Sequence, residues 1–180
     1  MTGRRAAFLD RDGVLVQELL VDGAPLAPLR VDDFQILPEA GTQVQRLRDA
    51  GLICLVFTNQ PEVARGLLAP DDLDAMHRQL RAEVAVDDVY VCPHVDADGC
   101  TCRKPRPGML TTGAAQWDVR LDESFVIGDR WRDIDAGRAV GCYTILIDRP
   151  YSACETADVS VPTLVDAVNA IMARLERVQP

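Results

Sequence analysis

Asp10 and Asp12 stand one residue apart, directly after the apolar run Ala6–Leu9 and directly before Gly13. Aspartate and glycine are poor strand-interior residues, so a strand built from that run ends there and a loop begins. A loop at that point can aim both carboxylates at one spot while Arg11 points away. Two carboxylates on one spot repel unless a cation lies between them or one holds a proton. Either state suits catalysis, although Asp and Gly are also ordinary turn residues. Further groups of the same kind follow: Thr58-Asn59-Gln60, then the cationic Arg103-Lys104-Pro105-Arg106-Pro107, then Asp129 with Asp133 one helical turn beyond. Clustered carboxylates with no local histidine suit a hard cation with oxygen ligands, Mg²⁺ above all. Hydroxyl, amide and lysine groups around such a cation suit a phosphoryl group. The reaction class that uses all these parts is phosphoryl transfer.

Cys92, His94, Cys100 and Cys102 form a second set. Three thiolates and one imidazole this close in sequence complete a tetrahedral shell for Zn²⁺ and leave no open position, so that metal is expected to be structural. Cys54 lies inside an apolar run, and Cys142 and Cys154 lack a partner at metal spacing. They read as buried or incidental thiols.

Positioning these groups requires an ordered set of elements. Short apolar runs predict strands at 6–9, 52–57, 89–92, 124–127 and 143–147, with a short sixth at 157–161. Helices are expected from Pro38 to just before Gly51, from Pro70 onward, and over 108–117, 131–140 and 163–177. Residues 14–35, with Gly23, Pro25 and Pro28, read as a long loop or small β-flap. Met76 falls on the apolar face of the helix after Pro70, and His77 beside it reads as a surface or boundary residue. Trp117 and Trp131 read as packing residues, and Arg11 and Arg130 as structural or surface cations. Alternating strands and helices predict a parallel sheet covered by helices on both faces, a Rossmann-like three-layer α/β/α sandwich. All strands of such a sheet end on one side, so Asp10 and Asp12, Thr58 and Asn59, and Asp129 converge on one rim.

The chain has 180 residues, 48% of them hydrophobic, which is enough for one domain over 1–180 with a full core. Its net charge of −9 argues against nucleic acid or an anionic membrane surface as partner. No apolar run approaches a membrane span, and the apolar run after Arg4 and Arg5 is too short for a secretory signal. A cytoplasmic protein is expected, with its six cysteines as thiols or metal ligands.

FLDRDG from residue 8, FTNQ, CRKPRPGM and IGDRWRDIDAG, ending at residue 137, resemble in order the four motifs of haloacid-dehalogenase (HAD) phosphatases. Within that superfamily the chain is similar to the branch of heptose bisphosphate and histidinol-phosphate phosphatases. The resemblance implies Asp10 as nucleophile and Asp12 as general acid and base, with a pKa raised by the Asp10 charge. It implies Mg²⁺ on Asp10, Asp129 and the backbone carbonyl of Asp12, with Asp133 supporting the metal or Lys104. Thr58 and Lys104 would hold phosphoryl oxygens, Asn59 would shape the pocket, and the zinc loop would span 92–102. Neither inter-motif gap has room for a folded cap of ~50 residues. Substrate choice then falls to the loops and to Arg103 and Arg106, which could hold the second anion of a bisphosphate. The expected substrate is a small phosphorylated metabolite and the expected state a monomer. The alternatives are histidinol phosphate or another small phosphomonoester as substrate, or a non-catalytic zinc-bearing binding module. The sequence departs from the common TNQSG by carrying Pro61-Glu62, and has Arg106 where a histidine is common.

Overall fold

The structure is a computed structural model that describes residues 3–178 apart from Asp22. The start of the stretch read for a signal, one flap residue and the last two residues of the 1–180 domain assignment lie outside the described residues. Six strands form one sheet in the order β5-β4-β1-β6-β7-β8. These are β1 (Ala6–Leu9), β4 (Ile53–Asn59), β5 (Asp88–Cys92), β6 (Phe125–Gly128), β7 (Tyr143–Ile147) and β8 (Val159–Val161). Every pairing among them is parallel. A separate antiparallel hairpin, β2 (Leu19–Val21) and β3 (Ala24–Leu26), is the flap. The helices are α1 (Ala40–Asp49), α2 (Pro70–Val84), α3 (Gly108–Trp117), α4 (Trp131–Ala139) and α5 (Leu164–Val178).

The central strand shows why its sequence is continuously apolar. Parallel sheets are covered on both faces, so alternate residues go to different cores rather than to core and solvent. Ala7 and Leu9 join Val44, Leu47, Met76, Leu80, Val168 and Ile171 from α1, α2 and α5. Ala6 and Phe8 join Leu55, Phe57, Met109, Leu110 and Ala136, on the side of α3 and α4. The three-layer expectation is met, and no large cap interrupts the described residues.

Three expectations shift. Val14, Leu15 and Val16 are fully buried in the core, so the flap begins after them. The turn after Asp12 winds tightly, with the Leu15 and Val16 amides both donating to the Arg11 carbonyl, and this tucks the apolar residues inward. The second strand runs through Thr58 and Asn59 instead of ending before them. Trp131 is 40% exposed, with the Arg132 guanidinium 5.2 Å from its ring centroid, so it is no packing residue. Among the described residues no helix is long and apolar enough to cross a membrane.

Candidate active site

The C-terminal ends of β1, β4 and β6 bring Asp10, Asp12, Thr58, Asn59 and Asp129 to one rim. The Asp10 amide donates to the Ile127 carbonyl at 2.9 Å, which locks the β1 exit to the β6 exit. Gly13 has φ +81°, and a Cβ there would lie 2.2 Å from Asp129 Oδ2. Only glycine lets the loop pass so close to that carboxylate.

Lys104 comes from the segment after the cysteine loop. Asn59 clamps its backbone twice: Nδ2 donates to the Lys104 carbonyl at 3.2 Å, and the Lys104 amide donates to Oδ1 at 3.1 Å. The buried ammonium donates to Asp10 Oδ1 at 2.8 Å and to the Phe57 carbonyl at 3.0 Å, and pairs with Asp133 Oδ1 at 2.6 Å. Burial opposes the charge on Lys104, but Asp10 and Asp133 overcome it and push its pKa up. Asp133 is 1% exposed and is no solvated carboxylate. Its Oδ2 also accepts from the Arg130 amide at 3.0 Å, capping α4. Both of its oxygens are thus engaged, one by Lys104 and one by the Arg130 amide.

The oxygens of Asp10, Asp129 and Asp133 lie within 4.8 Å of one another. Burial, then the charge of Asp133, raises the Asp10 pKa to about 6. Burial, then the charge of Asp10, raises Asp129 to about 8. Asp129 Oδ1 is buried and has no hydrogen-bond partner among the described residues. Its one cationic neighbour among the described residues, Arg130 Nε, stays 3.8 Å away, and a buried carboxylate oxygen without a hydrogen bond is what a hard divalent cation would satisfy. The donor set fits Mg²⁺.

Asp12 is held differently from the expectation. Arg11 does not point away. Its buried guanidinium folds back, with Nε 3.1 Å from Asp12 Oδ1 and Nη2 3.0 Å from Oδ2. Gln60 Nε2 donates to the same Oδ2 and to Thr58 Oγ1, both at 2.8 Å. The far side of the guanidinium meets His77, whose Nε2 is 3.0 Å from Arg11 Nη1. His77 is thus a buried partner and no surface residue. Burial, then Arg11, lowers its pKa to about 3, so the neutral ring accepts from Arg11.

The cleft above these groups is lined by Asp10, Asp12, Thr58, Asn59, Lys104 and Asp133 at its floor. Pro25, Leu26 and Ala27 of the flap, Pro61 and Glu62, and Arg103, Arg130 and Arg132 form its walls. Glu62 is paired with Arg65 at 3.3 Å, which tempers the carboxylate near the site. Arg103 is buried, with Nε donating to Asp96 at 2.7 Å and Nη1 to the His94 carbonyl at 3.1 Å. Arg106 is exposed, turns to the Cys100 carbonyl, and is not among the residues lining the cleft. Arg130, read from sequence as a structural or surface cation, lines it together with Arg132.

Tyr151 and Ser152 carry no sequence motif that marks them as site residues. Tyr151 lies 2.8 Å from Asp129 Oδ2, and Ser152 Oγ donates to the Asp129 carbonyl at 2.6 Å. They follow β7, the neighbour of β6, so the rule that parallel strands end on one rim points to this loop as well.

In the cysteine loop, Cys92 Sγ and Cys102 Sγ lie 3.7 and 3.5 Å from Cys100 Sγ. His94 Nδ1 lies 3.6 Å from Cys92 Sγ and 3.3 Å from Cys102 Sγ. A tetrahedron with Zn–S of about 2.3 Å and Zn–N of about 2.0 Å has edges of about 3.8 Å between sulfurs and about 3.5 Å from sulfur to nitrogen. The four side chains fit those edges.

An aspartate pair at the end of the central strand, a lysine braced by carboxylates and a third strand-end aspartate define a HAD-type hydrolase. Residues 101–165 match the HAD-hydrolase-like family. The D-glycero-D-manno-heptose-1,7-bisphosphate 7-phosphatase of Thermosynechococcus vestitus is 38% identical over 160 residues, 80% of this chain and 79% of that one. The D-glycero-beta-D-manno-heptose-1,7-bisphosphate 7-phosphatase of Rhodopseudomonas palustris is 37% identical over 150 residues, 77% of this chain and 80% of that one. The crystal structure of a D,D-heptose 1,7-bisphosphate phosphatase from B. bronchiseptica, complexed with magnesium and phosphate, has a TM-score of 0.82 at 28% identity, covering 94% of this chain and 99% of that one. This chain belongs to the D-glycero-D-manno-heptose-1,7-bisphosphate 7-phosphatase family of HAD-like hydrolases.

Proposed function

We propose that this chain is a magnesium-dependent phosphatase that removes the 7-phosphate of D-glycero-D-manno-heptose 1,7-bisphosphate through an aspartyl-phosphate. The observation that carries the reading is Lys104, pinned between Asp10 and Asp133 at the floor of a cleft walled by three arginines. Both hydrogen bonds to the Asp10 carboxylate, from the Arg11 amide and from Lys104, fall on Oδ1. Oδ2 is therefore the oxygen for attack on phosphorus. As that bond forms, the ester P–O bond breaks and Asp12, carrying a proton in the substrate complex, gives it to the leaving oxygen. The Asp12 carboxylate then takes a proton from water, whose oxygen attacks the aspartyl-phosphate and releases phosphate and free Asp10. Arg11 and Gln60 fix Asp12 for both transfers, and Thr58 and Lys104 hold phosphoryl oxygens. Mg²⁺ on Asp10, Asp129 and the Asp12 carbonyl would neutralise charge on the phosphoryl group.

The arginine wall favours a substrate with a second anion, and hence a bisphosphate over histidinol phosphate. Cys92, His94, Cys100 and Cys102 would hold a structural Zn²⁺, which would fix the loop that presents Arg103 and Lys104. We place the enzyme in the cytoplasm as a monomer of one domain. The test is phosphate release from the heptose bisphosphate with and without Mg²⁺, by wild type and Asp10→Asn. The variant should lose at least about a thousandfold in turnover while keeping its fold and zinc. Turnover above that by folded Asp10→Asn would remove Asp10 as nucleophile.

A further inference from the structure

We propose that Tyr151 is a positioning residue that selects which oxygen Asp129 offers to the cation, and that it links this ligand to the base of the flap. The inference rests on the magnesium reading above. Its basis is geometric. The segment after β7 grips Asp129 at two points, through the Ser152 hydroxyl on the main-chain carbonyl at 2.6 Å and the Tyr151 hydroxyl on Oδ2 at 2.8 Å. Oδ1, on the other side of the same carboxylate, accepts no hydrogen bond among the described residues and faces the Arg130 guanidinium only at 3.8 Å. The hydroxyl thus occupies one oxygen and leaves the other for a cation. Rotation of the carboxylate would break the contact. Gly13 closes the remaining side, since a Cβ there would lie 2.2 Å from Oδ2 and 3.2 Å from the Tyr151 hydroxyl.

The same hydroxyl lies 2.8 Å from Glu18 Oε1, one residue before the β2 strand of the flap. A phenol has one proton, so it serves one of the two carboxylates at a time. Asp129 is held from a segment with no sequence motif, and the flap leans on the same atom. Partners that orient a metal ligand typically change metal affinity ten- to a hundredfold when removed.

The experiment uses the full-length, zinc-loaded chain dialysed free of Mg²⁺ and titrated with MgCl₂ by isothermal titration calorimetry. Tyr151→Phe keeps the ring and removes the hydroxyl. We expect its Mg²⁺ Kd to rise about ten- to a hundredfold, with kcat at saturating Mg²⁺ within about threefold of wild type. Glu18→Gln should leave the Kd within about threefold, because the hydroxyl still serves Asp129. A Tyr151→Phe Kd within threefold of wild type overturns the proposal, and so does an equal loss in Glu18→Gln, which would assign the effect to flap charge. Absence of Mg²⁺ binding by wild type would instead overturn the metal reading on which the proposal rests.

Discussion

At the scale of single residues, three arginines in the cleft wall do different work from the lysine in its floor. Arg103 is held by Asp96 and the His94 carbonyl, so its position is set before substrate arrives. A charge-assisted contact to a partly exposed phosphate contributes about 1.5–3 kcal/mol. Arg103→Ala should therefore lower kcat/KM for the bisphosphate about ten- to a hundredfold and barely change it for a small monophosphate. Lys104→Ala should damage both. Arg106→Ala should leave this selectivity intact, because its guanidinium turns to the Cys100 carbonyl and does not line the cleft. Steady-state kinetics on the two substrates decide it, and equal losses on both for Arg103→Ala would return histidinol phosphate to consideration.

At the scale of elements, the cysteine loop has little regular structure of its own. It has one short 3₁₀ turn at Asp96–Asp98 and leads directly into Arg103 and Lys104. Zinc on its Cys92, His94, Cys100 and Cys102 side chains would hold it where a helix or strand does elsewhere. Zinc should copurify at one per chain and survive removal of Mg²⁺. Cys102→Ser should lose the zinc and, at a cost of about 3 kcal/mol, lower Tm by about 6–12 °C. Activity should fall with it, because Lys104 loses its support. Unchanged Tm and turnover in a zinc-free Cys102→Ser protein would show that the loop needs no metal.

At the scale of the whole molecule, the site concentrates carboxylates that metal-free protein cannot fully ionise. The folded pKa values of Asp10 and Asp129, about 6 and about 8, lie above the ordinary 3.8. The folded state therefore keeps protons that the unfolded chain releases. The stability this contributes is complete below the unfolded pKa and is lost as pH rises through about 6 and then about 8. Without Mg²⁺, Tm should fall from about pH 5 to about pH 8, and the rise in Tm on adding Mg²⁺ should grow over the same range. Calorimetric scans in matched buffers test this, and a metal-free Tm that is flat or rising across that window would contradict it. Much of this architecture was legible in the sequence because a parallel sheet admits few arrangements. Once Ala6–Leu9 and 124–127 are strands, Asp10, Asp12 and Asp129 must share a rim. The contacts of Arg11, His77 and Tyr151 were not legible in the same way. Arg11 turns back onto Asp12 and His77, contacts that spacing along the sequence does not encode. His77 is buried because a guanidinium reaches it from another element, and helical periodicity cannot see that.

The ammonium of Lys104 has three protons and three partners: Asp10, Asp133 and the Phe57 carbonyl. A phosphoryl oxygen can gain one of those protons only by exchange. The natural donor to give up is the one on Asp10, whose negative charge disappears as its other oxygen bonds to phosphorus. On the proposed mechanism the lysine would then change partners along the reaction coordinate, turning that N–H to donate a hydrogen bond to a phosphoryl oxygen as the charge there peaks. An interaction that strengthens at that moment lowers the barrier without tightening the resting complex. On that mechanism the saturated ammonium would serve turnover more than affinity.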